Sequence, residues 1–94
     1  MIQVIIPSQL ESYTDNLREV TVDLAAELGA PVTLADLVAA LDARYPGMAF
    51  RIVDEQRRIR KHIAIFIGQT LVRTLAAPLR GDERVQIVGA LSGG

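Results

Sequence analysis

The sequence predicts an α+β domain in which one main helix packs on one face of a mixed sheet of four to five strands. Three observations predict it. Apolar and polar residues alternate over residues 2–6, 19–23 and 63–67, the period of a strand with one buried face. A single stretch, residues 33–45, carries apolar side chains at helical spacing. The order is strand, strand, helix, then two or three further strands, which suits a helix laid across a sheet.

Each element follows from its residues. Ile2, Val4 and Ile6 alternate with Gln3 and Ile5, and Pro7 and Ser8 end that strand. Residues 8–16 are polar and turn-prone and read as a loop. Val20 and Val22 alternate with Glu19, Thr21 and Asp23, so the first two strands read as a hairpin with a long connection. Thr33 is placed to cap the helix, with Asp36 three residues on in a variant of the capping box. Leu34, Leu37, Val38, Leu41 and Tyr45 share one face, and Pro46-Gly47 ends the helix. Met48 to Val53 reads as a short extra turn against the helix end. Residues 54–62 are strongly charged and read as an exposed connection. Ile63, Ile65 and Ile67 line the inner face of a third strand. Gly68-Gln69-Thr70 reads as a turn and Leu71-Val72-Arg73 as a return strand. Leu75 and Leu79 read as anchors within a loop, and Arg80-Gly81-Asp82-Glu83 as a tight turn. Val85 and Ile87 face inward on the last strand.

Ninety-four residues suit one small domain with a single core. Half of them are hydrophobic, which argues against disorder. The aromatic residues are Tyr13, Tyr45, Phe50 and Phe66, so the core is built mainly from Ile, Val and Leu. The chain has no cysteine, which excludes a disulfide framework, a thiolate metal site and a catalytic thiol. The first residues lack the pattern of a signal peptide, and no apolar run approaches the ~20 residues that span a bilayer. The expected setting is soluble and cytoplasmic, with no membrane contact. The net charge of −1 hides an asymmetry. Residues 1–55 hold nine acids and three bases, net −6, and residues 56–94 hold seven bases and two acids, net +5. The default reading is two solvated faces that attract each other within the fold.

The chain ends on Leu91-Ser92-Gly93-Gly94. Glycine puts no Cβ in the way, so such an end can thread a narrow channel and present its carboxylate to another protein. The plain alternative is a small, frayed terminus. Gly68-Gln69-Thr70-Leu71-Val72, then Ala77-Pro78-Leu79-Arg80-Gly81-Asp82-Glu83-Arg84-Val85, then Ser92-Gly93-Gly94 resembles the MoaD/ThiS family of ubiquitin-like sulfur carriers. Leu41-Asp42-Ala43-Arg44-Tyr45-Pro46-Gly47 is similar to that family's helix end. The resemblance covers Ile2 to Gly94. It implies a ubiquitin-like β-grasp domain over residues 1–91 and a flexible diglycine tail over 92–94.

The resemblance also implies a mechanism in which this chain is a protein substrate and not the enzyme. A ubiquitin-activating-type adenylyltransferase uses ATP and Mg to adenylate the Gly94 carboxylate. A sulfur donor displaces AMP and leaves a thiocarboxylate. The tail then delivers sulfur to an acceptor, the molybdopterin synthase large subunit or a cysteine synthase, with thiamine synthesis ranked below because its carriers tend to be shorter. The chain carries no phosphate loop and no metal-ligand cluster, which fits a substrate of activation with no cofactor of its own. Two alternatives share the fold: a ubiquitin-like modifier joined to lysines through Gly94, and a β-grasp binding module with an inert tail.

The candidate site residues follow. Gly94, with Gly93, is the reacting end. Phe66, Val88 and Ile5 are expected on the outer sheet face as a partner-docking patch, with Leu91 and Ser92 beside the tail. Arg57, Arg58, Arg60 and Lys61 form a basic run that reads first as a solvated loop. Few aromatic residues lie near it for base stacking, which argues against nucleic acid. His62, the one histidine, reads as structural. Arg80-Gly81-Asp82 reads as a turn and not as an adhesion signal.

Overall fold

The computed structural model describes residues 1–24 and 31–89. Strand β1 (Ile2–Ile5) is followed by a 3-10 helix (Ser8–Thr14), β2 (Glu19–Val22), β3 (Val32–Thr33), α1 (Leu34–Arg44) and α2 (Met48–Ile52). Then come β4 (Ile63–Ile67), β5 (Thr70–Val72), β6 (Pro78–Leu79) and β7 (Arg84–Gly89). Five strands form one mixed sheet in the order β2-β1-β7-β4-β5, and β3 pairs with β6 in a separate ribbon. β1 and β2 are antiparallel with Ile2 opposite Val22, as the alternation predicts. β1 and β7 are parallel, with Val4 beside Val85. A parallel pair needs a long crossover, and α1 lies on the chain between them.

One face of the sheet is closed by α1. Ile2, Val4, Val20, Val22, Ile63, Ile65, Val85 and Ile87 from the strands form one buried cluster with Leu34, Leu37, Val38 and Leu41 of the helix. The start of α1 is held twice. The Asp36 N–H donates to Thr33 Oγ1, and the Thr33 N–H donates to Asp36 Oδ2 at 2.8 Å, completing the capping box. The Leu34 and Ala35 N–H groups, orphans of the first turn, donate to the carbonyls of Ala77 and Leu75 at 2.9 Å each. That pairing docks the loop before β6 on the helix.

Several expectations are corrected. Residues 8–16 are not a plain loop, because Ser8–Thr14 is helical. Leu10 and Thr14, four apart, are buried, and Thr14 Oγ1 donates to the Leu17 carbonyl at 2.7 Å, so one apolar and one hydroxyl anchor turn a polar segment inward. The short extra turn expected over Met48 to Val53 is present as α2, Met48–Ile52, with Met48 and Ile52 fully buried and Val53 already extended. Asp42 Oδ1 starts it by accepting from the N–H groups of Gly47 and Ala49. Thr70 belongs to β5 and pairs with Ile67, so the turn is Gly68-Gln69, with Gly68 at φ +61°. Leu79 is a strand residue opposite Val32. Ile59 bridges Val53, and Ile59 and Arg60 are partly covered within the charged segment 54–62.

Candidate functional site

The outer face of the sheet has no helix over it among the described residues. Register sets which side chains share it. Phe66 stands opposite Gln86 and Leu71, and Val88 stands opposite Ala64. Ile5 lies beside Gln86 on the far side of β7. Phe66, Val88 and Ile5 therefore sit on one face, with Ala64 and Leu71 among them. Leu71 and Val88 are 41% and 37% exposed, and Phe66, Ile5 and Ala64 are half-buried. Polar Gln3, Glu19, Thr21, Arg84 and Gln86 border this apolar band. Leu71 was missing from the sequence-derived patch. Its alternation with Thr70 and Val72 is too short to assign a face until β5 is paired with β4.

The tail grows from the middle of the sheet. β7 lies between β1 and β4, with Val85 and Ile87 buried beneath it. Gly89, its last residue, pairs with Ile63 at the start of β4. The side-chain amide of Gln9 donates from Nε2 to the Gly89 carbonyl at 3.0 Å. A Cβ on Gly89 would meet the end of the exposed Gln9 side chain at 3.0 Å, a tight contact that a shift of that amide would relieve. Leu91, Ser92, Gly93 and Gly94 lie outside the described residues.

Two carboxylates hold turns, Glu83 just before β7 and Asp54 in the segment before β4. Burial pushes the Glu83 carboxyl up, but hydrogen bonds from the backbone N–H groups of Arg80, Gly81, its own residue and Asp82 outweigh it and hold the group below its usual range. Asp54 is held low chiefly by the backbone N–H of Arg58, helped by that of Gln56 and by the guanidiniums of Arg58 and Arg60, against a smaller effect of burial. Arg60, placed by sequence in a solvated run, folds back instead. Its guanidinium lies 4.7 Å from the centre of the Phe50 ring, and its Nε–H donates to the Phe50 carbonyl at 2.7 Å. Arg51 does the same to Tyr13, 5.6 Å from the ring, with its Nε–H on the phenol oxygen at 2.6 Å. His62 is exposed beside them. Among the described residues no group of three or more His, Cys, Asp and Glu side chains could hold a metal ion, and no helix is long and apolar enough to cross a membrane.

The ThiS family model matches residues 12–94, most of the chain, including the diglycine and the strand that carries it. The chain belongs to the ThiS family. That places it, by family, among the ubiquitin-like sulfur carriers and modifiers. Solved relatives place this ThiS-family chain on the β-grasp fold. CysO of Mycobacterium tuberculosis matches with a TM-score of 0.83 at 23% identity, over 97% of this chain and 100% of that one. A chain of the BexX/CysO complex of Amycolatopsis orientalis matches at 0.84 and 22%, with both chains covered in full. SAMP1 of Haloferax volcanii matches at 0.79 and 18%, over 99% and 98%. No curated protein sequence matches the chain.

Proposed function

We propose that this protein carries sulfur as a C-terminal thiocarboxylate on Gly94. A partner adenylyltransferase joins the carboxylate to AMP with release of pyrophosphate. A sulfur donor then displaces AMP. A carboxylate alone is a poor acyl donor because oxide leaves badly, and the mixed anhydride removes that obstacle. ATP and Mg are bound by the partner. The observation that carries this reading is a ThiS match that runs through the diglycine, on a chain whose last described strand is the clamped centre of the sheet. That strand gives the tail a rigid root, and the band of Ile5, Phe66, Leu71 and Val88 gives the activating enzyme an apolar surface to grip. The acceptor is the molybdopterin synthase large subunit or a cysteine synthase, with thiamine synthesis third. As a subunit of the first, the chain would complete a heteromeric synthase.

Mass spectrometry of the protein from its own cell tests this. The expected result is a fraction heavier by the exchange of one carboxyl oxygen for sulfur, lost when one residue is added after Gly94. The similar fold of SAMP1, a small archaeal modifier protein, supports a second reading, attachment of Gly94 to lysines of other proteins. High-mass conjugates in which target lysines carry, after trypsin, the remnant of residues 85–94 that follows Arg84, without a thiocarboxylate, would establish that reading instead.

A further inference from the structure

The side chains of Phe50, Arg51, Arg60 and His62 line a shallow pocket of about 170 Å³. Both arginines are pre-oriented there. Each has a ring beneath it and spends its Nε–H on a fixed acceptor, Tyr13 Oη or the Phe50 carbonyl. The Nη groups remain for a ligand, in the fork that suits a carboxylate or phosphate. Among the described residues the ion pairs are Arg18–Glu11 and Arg58–Asp54, so neither pocket arginine is in one. Phe50 itself is 58% exposed, an apolar surface beside the cations.

We infer that this pocket binds a short acidic segment of a protein partner, one or two carboxylates on the arginines and an apolar side chain against Phe50. Two observations favour a peptide over a nucleic acid. The rings of Phe50 and Tyr13 already carry a guanidinium, which leaves less aromatic face for a base to stack on. The partly apolar rim matches side chains and not sugar. Position adds a reason. His62 immediately precedes Ile63, which pairs with Gly89, and Arg51 bonds Tyr13 of the 3-10 helix whose Gln9 holds the Gly89 carbonyl, so the pocket lies toward the end of β7 that leads to the tail. A partner that reaches for the tail meets it, although the binding itself does not depend on what happens at Gly94.

The test is an NMR titration of the full-length, isotope-labelled protein with the peptide acetyl-Glu-Glu-Ile-Glu-Glu-amide. Parallel titrations use inorganic phosphate and single-stranded oligothymidylate. Saturable shifts are expected at Phe50, Arg51, Arg60 and His62, weakening as salt rises. Arg51→Gln and Arg60→Gln should each weaken binding about tenfold, Arg60→Lys less so, and Arg73→Gln not at all. The same spectra show that each variant is folded. The inference is overturned if shifts spread over all the arginines, if the two glutamine variants bind as well as the parent, or if phosphate or the oligonucleotide binds this pocket more tightly than the peptide. None of these outcomes bears on the thiocarboxylate.

Discussion

Glu83 shows how one side chain sets the geometry that feeds β7. Its carboxylate takes the N–H groups of Arg80, Gly81 and Asp82, and Gly81, at φ +110°, provides the left-handed step that wraps them around it. Hydrogen bonds to a charged group are worth about 1.5–3 kcal/mol, and partial exposure reduces this. Glu83→Gln is expected to cost about 1–2 kcal/mol, read as a lower midpoint in thermal or denaturant unfolding. The sign of the pH effect follows. The folded group titrates below its ordinary value of 4.5, so its contribution is complete above that pH and fades as the pH falls through the folded value. The parent protein should lose stability through that acid window, and the glutamine variant should lose less. A parent and variant with parallel pH profiles would remove Glu83 as the cause.

Among the elements, α1 holds the most. Leu41 is fully buried between the helix and the sheet. Leu41→Ala should cost about 2–5 kcal/mol, depending on how far the cavity collapses, measured by chemical unfolding. The strands of the main sheet and α1 were legible because their period is set by one buried face each. The alternation of residues 2–6, 19–23 and 63–67 survives any register, and Thr33 with Asp36 marks a helix start locally. What escaped the sequence depends on distant partners. The 3-10 helix rests on buried Leu10 and Thr14 and on contacts of Gln9 and Tyr13 with distant Gly89 and Arg51, in a segment otherwise polar. β3 and β6 are two residues each and exist because Val32 meets Leu79 from far along the chain. Arg60 reads as one more charge in a basic run until Phe50, ten residues back, is placed under it. Of the candidate site, Phe66, Val88 and Ile5 could be put on one face by parity. Leu71 could not, and the terminal glycines were legible only as chemistry.

Among the described residues the sheet has a helix-covered face and a bare one, and the proposed docking band of Ile5, Phe66, Leu71 and Val88 lies on the bare one. Val88→Asp puts a charge in the middle of that face while leaving the core untouched, so it should lower stability by at most about 1 kcal/mol. It should nevertheless slow adenylation by the activating enzyme at least about tenfold, measured as pyrophosphate release. Full activity in a folded Val88→Asp protein would move the docking surface elsewhere. Charge is also distributed on this scale. Two ion pairs among the described residues are local, Glu11 with Arg18 and Asp54 with Arg58, and exposed charges elsewhere can orient an approaching partner.

The parallel run of β1 beside β7 has a practical result. Because the two strands point the same way, Met1 lies at one pole of the sheet and Gly89 at the other. Lys61, the sole lysine in the sequence, stands two residues ahead of the partner of Gly89. Amine-directed chemistry therefore meets two targets at opposite ends. A dye on the ε-amine would report any enzyme that closes over the Gly89 end of β7, and immobilisation through the α-amine would leave that strand end facing away from the support.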